Sequence, residues 1–97
     1  MNDERDEVIV IEDAFGKLRV KRSLLRRFRD AILLVHPAME PDLGYTTELL
    51  VGPEIWGPPD PGWHRFIGRC VAWMVRKRII PIQRVTPVGS GTALYSR

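Results

Sequence analysis

A chain of 97 residues with 44% hydrophobic and 28% charged content suits one globular domain and is too short for a second core. Its single cysteine, Cys70, excludes an intramolecular disulfide framework, and no apolar run reaches the roughly 18–20 residues needed to cross a bilayer. The net charge of +3 is segregated into blocks: six acids and one base in residues 1–16, seven bases and no acid in 17–29, six acids and no base in 30–60, seven bases and no acid in 61–97.

The acidic start lacks the basic-then-apolar order of a secretory leader, which with the lone thiol predicts a cytoplasmic chain. Residues 8–11 are short and β-branched and predict a strand within an acidic N-terminal segment, residues 1–16, ahead of a domain over residues 17–97. Leu18, Leu25, Phe28, Ile32 and Val35 recur at spacings of 7, 3, 4 and 3. They predict a helix that starts at Lys17 or Ser23 and stops before Pro37. Leu24 widens the apolar stripe, and Arg22, Arg26 and Arg29 take the other side. Residues 45–51 predict a short helix capped by Thr46 or Thr47.

Residues 52–62 hold four prolines and three glycines, which predicts a stiff loop anchored by Trp56. Asp60 as cap and Pro61 at the first position open a long helix over residues 61–77. Its apolar face is Trp63, Phe66, Ile67, Cys70, Val71 and Met74. The opposite face carries Arg65, Arg69, Ala72 and Arg76, with Gly68 alongside. A strand is expected over residues 79–85, held to an edge position by Pro81, then a glycine turn over 86–91 and a second strand over 92–96.

Chemistry that needs paired side chains finds little here. His64 and Cys70 lie six residues apart, about 120° around a helix, and form no dyad. His36, His64 and one cysteine give no metal-ligand spacing, and "GSG" precedes no helix that could cradle a phosphate. No enzyme activity, cofactor or metal is expected, and no membrane partner.

The segment "YTTELLVGPEIW … WHRFIGRCVAWMVRKRIIPIQRVTPVGSGTALYSR" resembles a winged helix-turn-helix domain, in which a third helix runs into a two-stranded wing. The sharpest part is the basic run Arg76, Lys77, Arg78 leading into "IIPI" and a glycine turn. The resemblance covers residues 22–97, and it departs from the superfamily where eleven Pro/Gly-rich residues replace a 3–4-residue turn. It implies an α+β fold of about three helices with a C-terminal two-stranded wing over residues 79–96. It also implies that the 61–77 helix enters the major groove of double-stranded DNA. Arg65, Arg69 and Arg76 would then face the bases and phosphates, with Gly68 and Ala72 removing bulk between them. Lys77, Arg78 and Arg84 suit phosphates, Ser90 at the wing tip suits a backbone contact, and Trp73 stands at the edge of the arginine stripe.

The function implied is that of a small transcriptional regulator, acting as a homodimer to double its contacts. A surface free of acids from residue 61 onward suits an anionic partner. The alternative is a winged domain for protein–protein contact, a subunit or inhibitor of a nucleic-acid-handling complex that uses the acidic 30–60 segment. An arginine stripe is also the ordinary dress of a solvated helix, and acidic blocks can fold over basic ones.

Overall fold

The computed structural model describes residues 6–87 and 91–97. Two strands, β1 (Val8–Asp13) and β2 (Gly16–Lys21), open the chain as an antiparallel hairpin in the register Val8–Lys21 to Asp13–Gly16. Then come α1 (Arg22–Val35), a single 3₁₀ turn at His36–Ala38, and two short helices, α2 (Thr47–Val51) and α3 (Pro53–Trp56). The long helix α4 (Pro61–Arg76) follows, and β3 (Gln83–Arg84) pairs with β4 (Tyr95–Ser96). The fold is α+β, with four α-helices among the described residues.

The hairpin corrects the expectation of a helix starting at Lys17. Residues 16–21 alternate strictly, with Lys17, Arg19 and Lys21 outward and Leu18 and Val20 inward, which is the period of a strand rather than of a helix. Gly16 turns the chain with a φ of +114°, a conformation that costs glycine least. α1 has no cap from its own Lys21. Instead, Asp6 reaches across from the start of the hairpin and accepts both the Ser23 backbone N–H, at 3.0 Å, and the Ser23 hydroxyl. A carboxylate there satisfies an orphan donor and faces the positive end of the helix.

α2 and α4 begin as expected. Thr46 accepts from the Leu49 N–H, and Asp60 accepts from the Trp63 N–H ahead of Pro61. The stiff loop, by contrast, contains the helical turn α3, bounded by Gly52 and Gly57 at positive φ. Trp56 lies at its end as a half-buried anchor, stacked on His64 with ring centroids 3.7 Å apart.

α4 is the central element. Ile67, Cys70, Val71 and Met74 are buried in it, against Ile11 and Val20 of the hairpin and Leu25, Phe28 and Ile32 of α1. Leu50, Ile55, Ile80 and Tyr95 close the remaining sides of the same core. The expected strands over 79–85 and 92–96 shrink to two residues each, because residues 77–79 form the turn that ends α4 and Pro81 cannot donate to a ladder. Tyr95 makes a further two-way backbone bridge to Tyr45, at 2.7 and 2.9 Å. Next to this bridge, Gly44 sits close against Leu94, since a Cβ there would come within 3.3 Å of it.

Gly68, in the middle of α4, would meet nothing within 4 Å if it carried a Cβ. Gly68→Ala is therefore expected to stabilise the fold by about 1 kcal/mol, through lower unfolded-chain entropy and better helix propensity. Chemical denaturation measures this as a higher midpoint at unchanged slope.

Candidate nucleic-acid interface

Arg69 is not free to face a ligand. Its Nε donates to Asp13 Oδ2 and its Nη2 to Asp13 Oδ1, each at 2.9 Å, and the same Nη2 reaches the Gly16 carbonyl at 3.1 Å. Asp13 also accepts the Phe15 N–H, so one carboxylate shapes the hairpin turn and ties it to α4. The side chains are only 23% and 10% exposed, and the Phe15 ring lies under the guanidinium, 5.9 Å away. The Arg69 hydrogen bonds hold the Asp13 carboxyl below its ordinary value, partly offset by burial. The expected single row of Arg65, Arg69 and Arg76 is thus interrupted at its centre.

Most of α4 is likewise covered. Only Pro61, Gly62, Arg65 and Arg76 are exposed along it, the rest being partly or wholly buried, so the exposed positions do not form a continuous row. Arg84 is turned to its own loop, donating to the Thr86 and Pro87 carbonyls. Ser90, expected at the wing tip, lies outside the described residues. The side chains of Arg65, Arg76, Lys77 and Arg78 belong to exposed residues and make no hydrogen bond or ion pair among the described residues.

The end of α4 has a specific geometry. The Ile79 N–H bonds to the Met74 carbonyl at 2.8 Å and the Arg78 N–H to the Val75 carbonyl at 3.0 Å. This is the double bond of a Schellman turn, which brings Ile79 back toward Met74. The residue forced left-handed by it is Arg78, with a φ of 58°, where glycine is the usual occupant.

Between that turn and α1 lies an open groove of about 280 Å³. Arg22, Arg26 and Arg29 line it from α1, and Ile9, Leu25, Trp73, Met74 and Ile79 supply apolar surface. Arg22 pairs with Glu7 at 2.8 Å and Arg29 with Asp30 at 2.9 Å, all four side chains being at least partly exposed. Such pairs are worth little and exchange readily for another anion. The Arg26 side chain has neither a hydrogen bond nor an ion pair among the described residues.

The three tryptophans differ sharply. Trp56 stacks on His64, and Trp63 donates its indole N–H to the Ile55 carbonyl and packs on Phe66. Trp73 is half-buried at the groove, packed against the core, and its indole makes no aromatic-ring contact or hydrogen bond among the described residues.

The α1 arginines were visible in the sequence as a stripe, but their convergence with Trp73 depends on a fold that places α1 beside the end of α4. Cys70 is fully buried and burial pushes its thiol up to about 12, so it stays protonated at neutral pH. His64 Nε2 is engaged by the Trp56 carbonyl at 3.0 Å. No group of three His, Cys, Asp or Glu side chains able to hold a metal occurs among the described residues, nor does a helix long and apolar enough to cross a membrane. No protein-family model, no curated protein and no solved structure matches this chain.

The clasp has a measurable signature. A double-mutant cycle of Asp13→Ala and Arg69→Ala is expected to give a coupling of about 1–2 kcal/mol, against under about 0.5 for the exposed Glu7–Arg22 pair. Because the folded chain lowers the Asp13 and Asp6 carboxyls, their contributions are complete above the ordinary carboxylate range. They fade as pH falls below about 4 and through the lowered folded values. Thermal melts over this range should show a smaller acid loss for Asp13→Asn than for the wild type.

Proposed function

We propose that this chain binds nucleic acid through its sugar–phosphate backbone, on the cationic surface that joins α1 to the end of α4. The observation that carries the reading is a set of exposed cations, none in a side-chain hydrogen bond or ion pair among the described residues, at one groove and on the turn beside it. Arg26 lines it, and Arg76, Lys77 and Arg78 stand on the turn that carries Ile79 to its wall. Arginine forks and a lysine ammonium are the groups that neutralise phosphates and release their counterions.

Arg78 adds an independent indication. A left-handed backbone costs a residue with a side chain about 1 kcal/mol relative to glycine. A strained residue of this kind is a pointer to a functional role. Cations at a helix C-terminus also suit its dipole, but that would be served by Arg76 and Lys77 alone.

The relationship to winged helix-turn-helix domains belongs to the same proposal. It is supported by the succession of a long helix and an antiparallel strand pair, and double-stranded DNA is the ligand it implies. The reading differs from that resemblance in its contact surface, since Arg69 is engaged by Asp13 and α4 is largely covered. A second reading, a protein–protein module for a basic partner, draws on residues 30–60. Leu34, Leu43 and Leu49 are 81%, 48% and 62% exposed there, in a stretch that holds six acids and no base.

Titration of labelled DNA at several salt concentrations tests the proposal. Affinity should fall steeply with salt, and Arg26→Ala or Lys77→Ala should each flatten the slope by about one unit. Arg78→Gly should raise the melting temperature and weaken binding at once. Absence of binding at about 50 mM salt, or variants that bind like the wild type, would overturn it.

A further inference from the structure

The groove between α1 and the Schellman turn has two parts, of which a phosphate contact uses only one. Its wall is cationic, from Arg22, Arg26 and Arg29, and its apolar side includes Trp73 and Ile79. At about 280 Å³ it falls at the lower edge of the roughly 300–1,000 Å³ typical of small-molecule sites, so it suits one planar ring rather than a large ligand. Trp73 packs against the core but is the tryptophan whose ring has no aromatic partner and whose indole N–H has no acceptor among the described residues, whereas Trp56 and Trp63 each have a ring partner and Trp63 also an acceptor. A half-buried indole beside three guanidinium groups offers a stacking face and phosphate ligands together.

We propose that this groove holds one unpaired base of a single-stranded nucleic acid, stacked on Trp73, with the flanking phosphates on Arg22, Arg26 and Arg29. The inference rests on the nucleic-acid reading above and sharpens it to a preference for single strands. A paired base keeps its faces inside the duplex stack and cannot enter the groove, while an unstacked base presents a π-face whatever its identity. Recognition is accordingly sequence-tolerant. The Glu7–Arg22 and Asp30–Arg29 pairs must yield to the strand, which their exposure permits.

The test compares a short labelled oligothymidylate, a blunt duplex of equal length and thymidine monophosphate, by anisotropy or competition at low salt, with tryptophan fluorescence followed in parallel. The single strand should bind about tenfold more tightly than the duplex and quench tryptophan emission, with the mononucleotide far weaker. Trp73→Ala should lose about tenfold in single-strand affinity and leave duplex affinity within about twofold. Trp73→Phe, which keeps a ring in the core, should retain most of the affinity and abolish the quenching, so the outcome does not hinge on whether the alanine variant folds. Equal binding of strand and duplex, or quenching that survives in Trp73→Phe, overturns the inference while the backbone reading stands. A mononucleotide that binds as tightly as the strand overturns the single-strand assignment in favour of a nucleotide site. No binding by any of the three overturns both.

Discussion

Arg69 and Asp13 are 56 positions apart in the chain, and the fork between them joins the tip of the N-terminal hairpin to the middle of the long helix. Its partners leave little freedom: the carboxylate also shapes the turn, the guanidinium also holds the Gly16 carbonyl, and the Phe15 ring lies below. With the hairpin fixed in this way, Ile11 and Val20 bury against α4, and the helix becomes the centre of the core. Two charges that the composition assigns to opposing blocks are spent on structure.

That expenditure decides where the surface is available. α4 has the sequence of a helix with a cationic outer side, yet the side is interrupted at Arg69 and covered around it. Exposed arginines without an ion pair remain at the two ends of α4, Arg65 and Arg76, while Arg26 on α1 and Lys77 and Arg78 on the turn after α4 lie nearer the groove. There the Schellman geometry folds Ile79 toward Met74 and forces Arg78 into a left-handed backbone. The groove so formed is apolar on one side and cationic on the other, and the Trp73 indole within it has no aromatic partner or acceptor among the described residues. The same packing that engages Arg69 at the middle of α4 leaves an apolar and cationic groove beside α1.

Much of this was legible locally. Thr46 and Asp60 announce their helices because capping is a short-range interaction, and the stripe of Leu25, Phe28 and Ile32 carries the 3.6-residue period unambiguously. The β2 strand was also legible, since Lys17 to Lys21 alternate in charge and apolarity, but Leu18 happens to continue the helical spacing and the longer pattern wins. Three features could not be read from the chain. The cap of α1 comes from Asp6, 17 positions away, and the loss of Arg69 to Asp13 is more remote still. The meeting of Arg26 with Trp73 requires the relative placement of two helices. Charge segregation signals a cationic surface without saying which arginines remain on it. The succession of a long helix and a strand pair was readable from the C-terminal residues, whereas the hairpin that packs on α4 was not.

Backbone and indole NMR on the labelled chain, titrated with a short oligonucleotide, tests the central claim most directly. The shifts should concentrate at Arg22, Arg26, Arg29 and the residues from Trp73 to Ile79, with the Trp73 indole signal moving and those of Trp56 and Trp63 still. Shifts centred on Gly62, Arg65 and Gly68, or a spectrum that does not change, would contradict it.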